Sequence, residues 1–219
     1  MYARLPAFVL GFHGCDRVVG EAILAGKREL HPSDNDYDWL GSGRYFWENS
    51  YERALAFAQE MRSLPRTHRR KHPITDPFVI GAIIDMGHCL NLLDHQGLEL
   101  VKTQYHELET LFAESGQDLP QNTKGKKGSD LLFRHLDCAV IEAIHRQNEK
   151  DSHRPAYDSV RAVFVEGDAL YGNAGFHGKN HIQLCVRNEA CILGYFRPRP
   201  RQAAIGKIPK PTTRTAGFA

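Results

Sequence analysis

His13 followed by Gly14, Tyr45 at the end of a GSGRY run, and His181 with Gln183 two residues later are the side chains best placed by type and spacing to work on a bound small molecule. An imidazole can donate and accept hydrogen bonds, and a glycine beside it lets a ligand approach the backbone. A tyrosine ring can stack on a flat partner, which orients more than it binds. A glutamine can hold a hydroxyl, but it carries no charge and takes no proton. His181 and Gln183 stand two apart, so in a strand both project from one face, and spacing alone does not say which of them meets a ligand. No CxxC or HExxH spacing is present, so no metal site is expected.

The elements that must position these residues follow from periodicity. AFVLGF (7–12) reads as a short buried strand, and RVVGEAILAG as a helix stopped at Gly26, so His13-Gly14 lies where a strand feeds a helix. HPSDNDYDWLGSG is rich in turn formers. RYFW after it reads as a strand, and SYERALAFAQEMRS as a helix with Asn49 or Ser50 as its N-cap. PFVIGAIIDMGHCLNL suits one long strand or two short ones. The region from Leu98 to Ser115 and LLFRHLDCAVIEAIHRQ read as two helices separated by a polar loop, forming an insertion over about 98–150. SVRAVFVEG, HIQLCVRN and CILGYF return to strand patterning. Strands bracket helices without a regular βαβ rhythm, so the expected class is α+β with a mainly antiparallel sheet.

A chain of 219 residues with 42% hydrophobic content suits one compact domain, expected over 1–196. No apolar run approaches the 18 or so residues of a membrane span, and the N-terminal stretch is too short to act as a signal peptide, so a cytoplasmic protein with no membrane partner is expected. The five cysteines are odd in number and scattered among apolar neighbours, which favours buried, reduced thiols. The formal charge of +2 is uneven: residues 197–219 hold six Lys/Arg and no acid, and the remainder is net negative. That tail is expected to be mobile. The tail, the loop RTHRRKH and the run KGKK (Lys124 to Lys127) could touch nucleic acid, although such runs are commonly solvated surface without aromatic interleaving.

HGCDRVVGEAILAG, GSGRYFWENSYERALAFA, and the stretch from SVRAVF through NHIQLCVRN to CILGYF resemble, in that order, three motifs of the ADP-ribosyltransferase superfamily. The likeness is to its His-Tyr clade, which holds the catalytic domains of poly(ADP-ribose) polymerases and related bacterial mono-transferases. It covers about half the chain. It implies a split β-sandwich core and NAD as donor substrate, with no metal. Catalytic roles would fall to His13, Tyr45 and either Gln183 or His181. NAD contacts would come from His13, Gly14, Cys15, Gly43, Tyr45 and Phe46, with Asp38 and Trp39 covering the cofactor, although Trp39 is as well suited to packing. Such a set should line one cleft. The Gly14 backbone would pair with the nicotinamide carboxamide, His13 would hold the adenine-side ribose, and Tyr45 would stack on the nicotinamide.

The family's third residue is usually Glu, and this strand has none. Gln183 is the preferred counterpart, because the run LCV after it matches the residues beyond the family's catalytic acid, and His181 would then stand at an acceptor-recognising position. A neutral glutamine argues for single ADP-ribose transfer rather than chain elongation. A general base must come from elsewhere. Glu166 and Glu48 are candidates, and either could equally be a solvated surface carboxylate. The acceptor would be a protein or a nucleic acid. The resemblance also suggests a toxin or defence effector with an antitoxin or immunity protein as partner. Two other functions share these motifs: an NAD glycohydrolase, and a non-catalytic module that reads ADP-ribose or a nucleotide.

Overall fold

A computed structural model of the chain describes residues 8–64, 73–125 and 130–199. A strand β1 (Phe8–Asp16) passes directly into helix α1 (Arg17–Leu24), and strand β2 (Arg44–Glu48) is followed by helix α2 (Tyr51–Ser63). Strands β3 (Pro77–Asp85) and β4 (Cys89–Asn91) come next. Helix α3 (His95–Ser115), a hairpin of β5 (Asn122–Lys124) and β6 (Leu131–Arg134), and helix α4 (His135–Lys150) then lead to β7 (Ser159–Phe164), β8 (His181–Val186) and β9 (Ile192–Phe196). Seven strands form one sheet in the order β4-β7-β8-β2-β1-β3-β9, antiparallel except for β4 beside β7. The class is therefore α+β with a mostly antiparallel sheet. Parallel neighbours need a long crossover, and α3, the hairpin and α4 supply it between β4 and β7.

Local chemistry sets the helix ends. The Asp16 carboxylate accepts from the Val18 N–H at 3.0 Å to cap α1, and Gly26, at φ +66°, ends the turn after it. Asp94 caps α3 through the Gly97 N–H, and Gly116 closes it in the left-handed region. The Ser50 side chain caps nothing, and Asn49 turns the chain at φ +51° instead. Leu131–Arg134, expected to open the second helix of the insertion, is strand β6 in the small hairpin. Leu131, Leu132 and Phe133 are all about two-fifths exposed, so burial gives that segment no reason to stay helical.

The sheet divides the core by face. On one side Cys15, Phe46, Ile80, Ile84, Leu184 and Val186 pack with Ile23 of α1. On the other, Ala54 of α2 meets Trp47 and Val79, while Ile141 and Ile144 of α4 meet Leu40, Val160 and Cys185. Gly14 is the tightest point beneath α2, because a Cβ there would stand 2.2 Å from the Ala54 carbonyl oxygen. Gly14→Ala must push α2 off the sheet. We expect a loss of roughly 1 to 3 kcal/mol, the usual cost of overpacking. Thermal unfolding would read this as about 2 to 4 °C per kcal/mol for a domain of this size. An unchanged Tm would mean that α2 does not seat against β1.

All five cysteines are unbonded, and all but Cys89 are buried. Burial raises the Cys15 thiol to about 12 and the Cys138 and Cys191 thiols to about 11, so they stay protonated. Among the described residues no helix is long and apolar enough to cross a membrane. The loop RTHRRKH, Lys126 and Lys127 of KGKK, and all but the first three residues of the basic tail lie outside the described residues. Of those three, Arg197 forms a bidentate ion pair with Glu21 of α1.

Candidate functional site

The central strands part where the chemistry-bearing residues stand. β1 and β2 are paired only at Gly11 with Glu48 and Phe12 with Trp47, whereas β1 is paired with β3 along its whole length. Past Phe12 the two strands separate. His13 bridges the opening, its Nδ1 lying 2.8 Å from the Tyr45 carbonyl oxygen. A carbonyl only accepts, so Nδ1 carries the proton and Nε2 keeps a lone pair. Burial lowers the His13 pKa, and the bond to Tyr45 opposes that shift only in part, so the ring is neutral near pH 7.

Strand alternation sorts the remaining side chains. A Cβ on Gly11 would meet Ile84 and Phe46, and one on Gly14 would meet Ala54 and Ala58. His13 therefore belongs with Gly11 on the Phe46 face, where its ring makes an edge contact with Phe46 at 5.9 Å. Tyr45 turns to the opposite face, with Trp47. Cys185 and Gln183 lie directly across from these two on β8, and His181 projects from that face two residues further. The structure thus brings Tyr45, Gln183 and His181 to one face, while His13 reaches Tyr45 through its main chain. The expectation of one cleft lined by His13, Tyr45 and one of His181 and Gln183 is not met: His13 and Tyr45 face opposite sides of the sheet, and they are joined only by the bond at the opening between β1 and β2.

Tyr45 is held rather than free. Its hydroxyl donates to the Gly41 carbonyl at 2.7 Å and accepts from the Leu40 N–H at 3.1 Å. Burial raises its pKa strongly, so it stays protonated. Trp39 donates from Nε1 to Gln183 Oε1 at 2.5 Å, across 144 residues of sequence. An indole is only a donor, so this bond fixes the amide orientation and leaves the Gln183 Nε2 hydrogens to serve a ligand oxygen. Arg134 covers the other side of Trp39, its guanidinium carbon 4.3 Å from the ring centroid. Beside Trp39, between α3, α4 and β7, opens a groove of about 430 Å³ lined by Leu98, Tyr105, Arg134, Ile141 and Val163 among others. Trp39→Phe keeps the packing and removes the bond to Gln183. If the site cleaves NAD, kcat should fall by roughly three- to tenfold, the worth of one hydrogen bond, with KM little changed. A rise in KM alone would mean that Trp39 touches the ligand without orienting Gln183.

Several residues expected to touch a cofactor are committed elsewhere. Phe46 is fully buried and Cys15 nearly so, both within the core against α1. Gly43 packs under β8, where a Cβ would stand 2.5 Å from Cys185 Sγ, so its place in the GSGRY run serves strand packing. The Asp38 carboxylate accepts from the Asn35 backbone and side chain, bracing its own loop. Neither candidate carboxylate base is free. Glu48 makes two bonds to Arg161, at 2.6 and 2.9 Å, and Glu166 pairs with Arg53 at 2.8 Å.

Sequence reasoning missed Trp47 and Arg53. Both pack beside His181, and period-two counting along RYFWE would have placed Trp47 on the Tyr45 face. Trp47 is 4% exposed, its ring centroid lies 6.1 Å from that of His181, and Arg53 covers it at 5.9 Å. No protein-family model, no curated protein and no solved structure matches the chain.

Proposed function

We propose that the chain is an NAD-dependent mono-ADP-ribosyltransferase with a fold of that superfamily's type, holding NAD across the opening between β1 and β2. The observation that carries this reading is the bond from His13 Nδ1 to the Tyr45 carbonyl. It joins two of the three motifs at the place where the sheet parts, and it leaves Nε2 of a neutral ring as an acceptor nitrogen. A ribose offers hydroxyl hydrogens, which that nitrogen accepts. Gln183, oriented by Trp39, offers N–H groups to the oxygen of the second ribose. As nicotinamide leaves, positive charge grows on that ribose, and a preorganised polar partner there acts on the transition state rather than on the ground state.

Gln183 brings no negative charge, which supports one transfer per acceptor rather than elongation of a chain. The acceptor is macromolecular in this reading, and the proposed effector role and immunity partner rest on the motif resemblance alone. Incubating the full chain with NAD labelled in its adenylate half tests the reading. Label on an acceptor together with free nicotinamide is the expected result. Free ADP-ribose as the sole product would make the protein a glycohydrolase, and intact NAD would reduce it to a binding module.

A further inference from the structure

We propose that the groove between α3, α4 and β7 docks an extended segment of another protein, which adds to the free edge of β7 and carries an acidic residue two positions from a large apolar one. Three features of the groove converge on that partner: an unpaired stretch of main chain, an apolar cavity and a loosely held cation. The Arg161 carbonyl accepts from the Leu92 N–H at 2.8 Å, so it points away from β8. Main-chain direction alternates along an antiparallel strand, so Val163, two residues on, turns its N–H and carbonyl to the same outer side. β4 covers that side only from Ser159 to Arg161, and the chain then leaves it for α3. Among the described residues nothing bonds to the Val163 main chain from there.

A bare edge is a template for one more strand. Val163 lines the groove together with Trp39, Leu98, Val101 and Ile141, and both Leu98 and Val163 are about half exposed. The cavity of about 430 Å³ falls within the roughly 300 to 1,000 Å³ of ordinary ligand clefts. A strand laid along β7 turns every second side chain to the groove, so one large apolar residue fills the cavity and the residue two away reaches its rim. Two cations line the groove. Arg134 is committed, stacked on Trp39 and paired with Asp137. Lys102 meets Glu99 at 3.7 Å, with both side chains more than half exposed. Such a pair is weak, so an incoming carboxylate displaces Glu99 from Lys102 at little cost.

The chain's own C-terminal segment is the wrong occupant by charge. Residues 197–219 carry six Lys/Arg and no acid, and Lys102 and Arg134 repel such a segment. A small apolar molecule would fill the cavity and leave the Val163 main chain and Lys102 unused. An extended acidic segment uses all three features at once. Main-chain bonds to Val163 supply affinity in this mode, and the cavity and Lys102 supply specificity. The docking stands apart from the NAD reading, although Trp39 forms one wall of the groove and donates to Gln183.

Fluorescence anisotropy on the full chain without NAD tests the proposal, with a labelled hexapeptide, serine-threonine-phenylalanine-threonine-glutamate-threonine, as probe. Saturable one-to-one binding is expected, and no saturation below about 1 mM overturns the proposal. Lysine in place of the glutamate should weaken binding about three- to tenfold, and Lys102→Glu should reverse that preference. Methylating each peptide N–H in turn should weaken binding sharply at a single position, the N–H that meets the Val163 carbonyl. Val163→Pro removes an N–H that β8 does not use, which an edge strand tolerates, and should weaken binding about three- to tenfold. Should that variant unfold, Lys102→Glu, on an exposed helix face, and the methylated peptides test the same docking. Equal binding of the glutamate and lysine peptides, indifference to methylation, or tighter binding of a peptide of residues 200–219 overturns the proposal. N-phenyl-1-naphthylamine bound as tightly as the hexapeptide does so too, and makes the groove a site for small apolar molecules. NAD cleavage enters none of these readings, so failure of the transferase reading leaves the docking proposal standing.

Discussion

His13→Ala is expected to lower NAD turnover by about a hundredfold or more, the scale lost when a reacting group is no longer held in register. Alanine removes the acceptor nitrogen that would hold a ribose hydroxyl, and it leaves the Tyr45 carbonyl unpaired across the opening. Release of nicotinamide under saturating NAD measures the effect, and unchanged turnover would place the site elsewhere. The same residue sets a pH dependence. Its folded pKa lies below its ordinary value of about 6.5, because burial disfavours the charged ring. Its contribution to stability is thus present above that ordinary value and is lost as the pH falls through the folded one, since the unfolded chain takes up the proton first. Activity should follow the same fall, because a proton on Nε2 removes the acceptor. His13→Ala should flatten the acid limb of the stability curve.

Gln183→Ala should cost about 2 to 4 kcal/mol of transition-state stabilisation, as when one preorganised donor is lost. That corresponds to a fall in kcat of roughly thirty- to a thousandfold. Truncation also leaves Trp39 Nε1 without its partner, so part of the loss reflects a loosened indole. Gln183→Glu should retain much activity, since a carboxylate still accepts from Trp39 and puts negative charge where positive charge develops. Single-turnover cleavage of NAD separates these effects from product release. If Gln183→Ala cleaves NAD normally while His181→Ala does not, then His181 holds the ribose and the assignment is off by two residues.

Periodicity made most of the fold readable. The strands around His13 and Tyr45, the helix stopped near Gly26, and Tyr51–Ser63 all stand where apolar spacing put them. LLFR misled, because Leu131 and Leu132 continue a helical apolar pattern on paper, yet in the molecule they are exposed and pair with β5 instead. The site was readable as residue types and not as partnerships. Glu48 and Glu166 each find an arginine 113 residues away, and Trp39 finds Gln183 at 144. No local pattern encodes such distances. The face of His13 was hidden for another reason: the sheet parts just after Phe12, and no feature of FHGCD announces where a ladder stops.

The order in which strands enter the sheet has a consequence during synthesis. β1, β2 and β3 leave the ribosome early, but β2 gains its second neighbour only when β8 arrives, and β3 only when β9 does. Until then β2 is held to β1 by two residue pairs, and an unpaired edge is exposed. Gln183 and His181 travel on the late strand. A nascent chain stalled before residue 181 would carry His13 and Tyr45 without the groups that complete the site, so it would leave NAD untouched. Such long-range pairing also folds slowly. For a protein that would consume a cofactor its own cell depends on, that delay sets a lag between translation and the first turnover.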